Sequence, residues 1–270
     1  MRRFLAAAIQ MTSTEDRARN LDEAFELVDR AVERGAEFVA LPENVDMIGP
    51  HGPKVESAEP LDGPTFALFK AKAREKKIWL LAGSIAETAS VAGKARNTSV
   101  LFGPDGKRVA VYRKIHLFDV DLGGGTRFRE SDVVEGGTDV VIAKTKLAKF
   151  GLSICYDLRF AELYRTLVTN GAEVLLVPSA FTLQTGKDHW EVLLRARAIE
   201  NAAWIIAPAQ TGEHGRGRRS YGHAMIVDPW GVVVAQCSEG PGLCLAEIDP
   251  AILEATRAAI PSLKHRKLGY

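Results

Sequence analysis

The sequence predicts an α/β protein in which strands outnumber helices, and three observations carry that expectation. Apolar runs of strand length alternate with amphipathic helical patterns through the first half of the chain. Gly103-Pro104-Asp105-Gly106-Lys107 separates two strand-like runs, a hairpin signal that introduces an antiparallel element. After residue 203, strand patterns follow one another with little helix between them. Hairpins mixed among crossovers imply either one mixed sheet or two sheets stacked face to face with helices outside. Periodicity alone does not choose between the two.

In chain order, residues 4–10 read as a buried strand, and Leu21, Ala24, Phe25, Val28, Ala31 and Val32 recur at helical spacing until Gly35 stops them. Residues 38–41 give the next strand, 65–77 a helix opened by Pro64, and 78–83 a short apolar strand. The hairpin strands are 96–102 and 108–112. The second half repeats the grammar with a strand ending at Cys155, a helix over 161–170 closed by Gly171, a strand at 174–177 and a long helix over 188–203. Strands follow at 204–209, 223–227 and 232–237, the last two joined by Asp228-Pro229-Trp230-Gly231. A strand at 243–248 precedes a closing helix from Pro250.

The 270 residues, 46% of them hydrophobic, suffice for a large core. With no linker-like stretch and no fixed-period repeat, the chain reads as one domain over 1–270. A net charge of +1 from 35 basic and 34 acidic side chains offers no broad field for a polyanion, so nucleic acid is not an expected partner. The densest basic cluster, Arg216, Arg218 and Arg219, reads most simply as a solvated loop, with contact to an anionic substrate as the alternative. Arg2-Arg3 before an apolar run imitates a secretory signal, but the run stops at Gln10, too soon for one. No segment has the length of a membrane span, and the three cysteines, Cys155, Cys237 and Cys244, cannot all pair. A cytoplasmic setting is expected, with neither membrane nor metal.

Chemistry concentrates where apolar runs end on reactive side chains. Gly151-Leu152-Ser153-Ile154-Cys155 places a thiol at the carboxyl end of a strand, where open α/β sheets carry their active sites. A cysteine taken alone is more often a small buried hydrophobe. Leu41-Pro42-Glu43-Asn44 and Arg113-Lys114-Ile115-His116 change that balance by setting a carboxylate and an amine after similar runs. Glu43 can take the thiol proton, and a neighbouring cation is expected to lower the thiol pKa. Lys114, with the N–H of Tyr156, can hold the negative charge that develops on an attacked amide. A Cys-His dyad through His116 ranks lower, since no histidine shows a triad signature. Gly123-Gly124-Gly125 lacks the spacing of a phosphate or dinucleotide loop and reads as a flexible turn, so no cofactor is implied.

At these residues the chain resembles the nitrilase superfamily of carbon-nitrogen hydrolases, from Phe4 nearly to the C-terminus. Leu41-Pro42-Glu43-Asn44, Tyr112 to Asp119 and Gly151 to Phe160 carry the likeness. The resemblance implies a Glu43, Lys114, Cys155 catalytic triad, an additional glutamate at Glu130, a four-layer αββα sandwich, and protomers that pair as a homodimer or higher homo-oligomer. Blocks from His189 to Asn201, Ser220 to His223 and Val227 to Gly231 resemble the branch holding deaminated glutathione amidase and omega-amidase. The segment 237–246 is more similar to the former. Lys114 to Asp121 and Arg159 to Leu163 are more similar to the latter. The implied activity is hydrolysis of a small keto-acid-type amide through a Cys155 thioester with release of ammonia, and Arg159, just past the thiol, is the candidate for the substrate carboxylate. A non-catalytic binding or scaffold member would be marked by a missing triad residue, and all three are present.

Overall fold

The computed structural model describes residues 1–49, 55–121, 127–215 and 217–268. Gly123-Gly124-Gly125 and Arg216 lie outside the described residues. Among the described residues, strands form a nine-stranded sheet, a six-stranded sheet and a two-stranded ribbon.

The strand Phe4–Met11 organises the first sheet. It pairs parallel with Phe38–Ala40 and antiparallel along its length with Gly242–Ile248. Its side chains divide by the two-residue period of a strand. Ala7, Ile9 and Met11 pack with Leu21, Ala24 and Val28 of helix α1 (Arg17–Glu33) and Phe66 and Phe69 of α2 (Pro64–Lys76), while Phe4, Ala6 and Ala8 face the second sheet. There the Phe38 and Phe150 rings stack with centroids 4.5 Å apart, and Phe4 meets Phe150 edge-on at 6.0 Å.

The second sheet runs Val233–Gln236, Met225–Val227, Trp204–Ala207, Val174–Leu176, Lys149–Leu152, Ile142–Lys144. Its outer face carries α3 (Ala161–Thr169) and α4 (Leu183–Asn201). Gly151 lets α3 and its following loop lie close, because a Cβ there would come within 3.2 Å of Leu167 Cβ. The architecture is therefore helix, sheet, sheet, helix, and the stacked-sheet alternative holds. Helix α5 (Pro250–Ala259) follows its Asp249 cap, which accepts from Ala251 N.

The structure refines several boundaries. The run 204–209 divides at Pro208, which has no N–H for a ladder: Trp204–Ala207 stays in the second sheet and Ala209–Glu213 joins the first. Helix α4 begins at Leu183 rather than 188, capped by Thr182, whose hydroxyl accepts from Thr185 N. Gly186, which disguises this first turn, is required by packing, since a Cβ would sit 2.3 Å from Tyr221 Cβ. The strand before Cys155 ends at Leu152, and Cys155 opens a separate 3-10 turn, Cys155–Arg159. Short strands such as Ile85–Thr88 and the ribbon Asp119–Asp121 with Arg127–Arg129 carry too few residues to show a period. Among the described residues no helix is long and apolar enough to cross a membrane.

Because Phe150 joins the two sheets, Phe150→Ala is expected to cost about 3–5 kcal/mol. A urea titration checks this as a fall in midpoint at constant slope.

Candidate active site

Four chain segments, from both large sheets and the small ribbon, converge on one cluster. Glu43 follows Phe38–Ala40 in a bend held by Asn44 N donating to Ser84 Oγ at 3.0 Å. Gly83 makes that bend possible, because a Cβ there would lie 1.9 Å from the Pro42 carbonyl oxygen. Lys114 follows Arg108–Arg113, with its own N–H on Asn97 O at 2.9 Å. Glu130 opens the 3-10 turn Glu130–Asp132 after the small ribbon. Cys155 takes φ 49° in its turn and is fixed by its N–H on Pro178 O at 3.0 Å.

Lys114 Nζ is the centre. It donates to Glu43 Oε1 at 3.0 Å and to Glu130 Oε1 and Oε2 at 3.1 and 2.8 Å. Glu43 Oε2 accepts from Ala180 N at 2.9 Å, and Glu130 Oε2 from Phe118 N at 2.7 Å. Burial works against the ammonium, yet Glu130 and Glu43 outweigh it and hold the Lys114 pKa well above its ordinary value. Lys114 is thus a permanent cation.

The thiol behaves otherwise than expected. Burial pushes the Cys155 pKa well up, the Glu43 charge and hydrogen bond push it further, and Lys114 pulls back without overcoming them. Cys155 therefore rests as a neutral thiol beside Glu43. These groups line a cleft of about 340 Å³ that also admits Tyr156, Arg159, Phe181 and Arg218.

Comparison with known proteins gives the family of the chain. Residues 5–258 match the carbon-nitrogen hydrolase family. The chain belongs to that family. It is 49% identical to the deaminated glutathione amidase of Synechocystis sp. over 269 residues, 98% of this chain and 99% of the relative. The solved structure of the Caenorhabditis elegans NitFhit protein is similar with a TM-score of 0.91 and 42% identity, covering 99% of this chain and 66% of that longer one. Saccharomyces cerevisiae Nit3, a member of branch 10 of the nitrilase superfamily, is similar with a TM-score of 0.88 and 32% identity, covering 99% and 97%. The four-layer sandwich is the nitrilase-superfamily fold.

Around this carbon-nitrogen hydrolase centre, two polar residues escape sequence reasoning. Asn97 Nδ2 donates to Glu43 Oε1 at 2.9 Å and reaches Glu130 Oε1 at 3.4 Å, so one amide aligns both carboxylates. Its signal is faint: asparagine is depleted in strands, and this one lies buried within Ala95–Phe102. Asp157, fully buried, accepts from Tyr112 Oη at 2.7 Å, Ile154 N at 2.8 Å and His116 N at 3.0 Å. It also holds His116 Nδ1 at 2.7 Å, while the His116 ring stacks on Phe160 at 3.6 Å. His116 is a brace between the Lys114 and Cys155 loops.

Tyr156 lies in the Cys155–Arg159 turn, its ring edge-on to Phe118 at 5.0 Å. The Arg159 guanidinium lies over Phe181 at 5.4 Å and Tyr156 at 5.8 Å, and Nη1 meets His189 Nδ1 at 3.3 Å. Among the described residues no carboxylate pairs with it. Arg218 departs from the solvated-loop reading, since it lines the cleft and donates from Nη1 to Gly49 O at 2.8 Å. Arg219 is exposed in the strand Arg219–Tyr221.

Glu43→Gln is expected to lower turnover by about 10²- to 10⁴-fold, the usual scale for a lost general base. The same change removes the charge that raises the Cys155 pKa. The rate of iodoacetamide alkylation followed against pH should therefore shift to lower pH in the variant.

Proposed function

We propose that this carbon-nitrogen hydrolase is an amidase acting on deaminated glutathione, with Glu43, Lys114 and Cys155 as its catalytic residues and Glu130 as a positioning residue. The observation that carries the chemistry is the Lys114 ammonium shared between two carboxylates beside a buried thiol. The substrate follows from full-length likeness to the Synechocystis relative of that name. One catalytic domain, a cytoplasmic setting and a homo-oligomer complete the reading.

In this mechanism Cys155 Sγ attacks the amide carbon as its proton passes to Glu43. Lys114 Nζ and the Tyr156 N–H stabilise the oxyanion, an effect of a few kcal/mol for each such donor. Glu43 returns the proton to the departing nitrogen as the C–N bond breaks, leaving an acyl thioester. Glu43 then deprotonates a water that attacks the thioester, and the C–S bond breaks to restore the thiol. Glutathione joins its glutamyl group to cysteinylglycine through the scissile amide, so the amine that leaves is the dipeptide. Ammonia is the product only of a primary amide such as α-ketoglutaramate.

Arg159 receives the 2-oxo acid carboxylate in a bidentate fork. Its lack of a carboxylate partner among the described residues, against aromatic faces that fix its plane, supports this role.

Side-by-side assays of cysteinylglycine release from deaminated glutathione and ammonia release from α-ketoglutaramate, with Cys155→Ala as the blank, test the proposal. The expected result is a higher kcat/KM on deaminated glutathione. Preference for α-ketoglutaramate would make the chain an omega-amidase, and turnover surviving in Cys155→Ala would refute the mechanism. Arg159→Lys should raise KM for both keto-acid amides by on the order of tenfold more than for a simple aliphatic amide, the scale of a weakened charge-assisted bond.

A further inference from the structure

Arg218 occupies a turn built to hold it still. The hairpin between Ala209–Glu213 and Arg219–Tyr221 closes with His214 N on Arg218 O at 2.9 Å and Arg218 N on Gly215 O at 3.1 Å. His214 anchors this turn from beneath. Its Nδ1 meets Ser13 O, which can only accept, at 2.7 Å, so Nδ1 carries the proton and Nε2 accepts from Ser220 Oγ at 2.8 Å. Burial holds the His214 pKa down at about 4, which keeps the ring neutral beneath the Arg218 cation.

The guanidinium has five N–H donors. Among the described residues its acceptor is the carbonyl of Gly49, and no carboxylate pairs with it. It is nevertheless drawn into the cleft, where Glu43, Glu130 and Cys155 feel its charge. A desolvated fork with spare donors at a substrate cleft is shaped for a carboxylate.

Its wall decides which carboxylate. Arg159 stands on the nucleophile's turn, against Phe181 and His189. Arg218 stands across from it on the base's side: Gly49 lies on the segment that continues from Glu43, and Gln210 of the same hairpin donates from Nε2 to Glu43 O at 3.0 Å. Glu43 must face the departing nitrogen to protonate it, so the leaving amine extends along this wall. We infer that Arg218 binds the terminal carboxylate of the departing dipeptide and is the residue that selects a peptidyl amide over a primary one. The inference rests on the deaminated glutathione reading.

The test compares kcat/KM for deaminated glutathione with that for its analogue whose terminal carboxylate is a carboxamide, in wild type and in Arg218→Gln. Each ratio is taken on one protein sample, so a change in folded fraction cancels. Wild type is expected to favour the carboxylate by on the order of ten- to a hundredfold, the scale of a charged hydrogen-bonded contact. In Arg218→Gln the ratio should collapse towards one, and the preference for deaminated glutathione over α-ketoglutaramate should fall by the same factor. Arg218→Lys, which keeps the charge but loses the fork, should give an intermediate ratio and carries the comparison should the glutamine variant not fold. An unchanged ratio in Arg218→Gln overturns the inference alone. A wild type that turns over neither dipeptide amide removes the functional reading, and the inference with it.

Discussion

The buried ammonium of Lys114 is the constraint on which the rest of the site depends. Removing an ammonium and two carboxylates from water costs several kcal/mol per ion, and only close, fully hydrogen-bonded geometry offsets it. Here the oxygens of both carboxylates are engaged: Glu43 by Lys114, Asn97 and Ala180 N, and Glu130 by Lys114, Asn97 and Phe118 N. Those partners come from the first sheet, the small ribbon and the loop after the second sheet's strand Val174–Leu176. Satisfying one charge therefore fixes how several loops sit relative to one another. Losing Lys114 would leave two carboxylates uncompensated in the interior, which is far more damaging than losing a surface pair.

The same arrangement divides labour between two groups of opposite sign. Had Lys114 stood alone beside Cys155, its field would favour a standing thiolate, the expectation drawn from a neighbouring cation. Glu43, hydrogen-bonded to the thiol, reverses the balance and, together with burial, keeps the proton on sulfur. Glu130 meanwhile offsets the positive charge and aims Nζ. The result is a neutral thiol with a carboxylate beside it and a cation held close by, the arrangement that the proposed mechanism uses.

Much of this was legible in the chain because the reactive residues end apolar runs. Glu43 and Cys155 follow buried strands, Lys114 follows the half-exposed hairpin strand Arg108–Arg113, and their neighbours form blocks long enough to carry a family resemblance. Asn97 and Asp157 were not legible, since each acts through partners remote in sequence: Asn97 is 54 residues from Glu43, and Asp157 is 45 from Tyr112. A lone polar residue in an apolar strand reads as its solvent-facing alternation until the second layer covers it. Arg218 failed for the related reason that a Gly- and Arg-rich turn looks solvated, and only the fold lays it against Gly49. The start of α4 was hidden because Gly186 signals a break, whereas its purpose is contact with Tyr221.

Backbone conformation shows what holding the site costs. Asn44 and Cys155 both lie in the left-handed region, at φ 54° and 49°. Asparagine visits it readily, but cysteine does so against the sterics of its Cβ, at about 1–2 kcal/mol. The surroundings over-determine that conformation: Cys155 N is held by Pro178 O, Ile154 N by the Asp157 carboxylate, and Asp157 in turn by Tyr112 and His116. A relaxed, extended Cys155 would carry on along the line of its strand. The left-handed turn instead swings the chain into the 3-10 segment and brings the sulfur to the Glu43 carboxylate. Asp157 thus shapes the site through its neighbours. Its network supplies the stabilisation that lets the strained Cys155 turn persist, and through Tyr112 and His116 it ties that turn to the loop bearing Lys114.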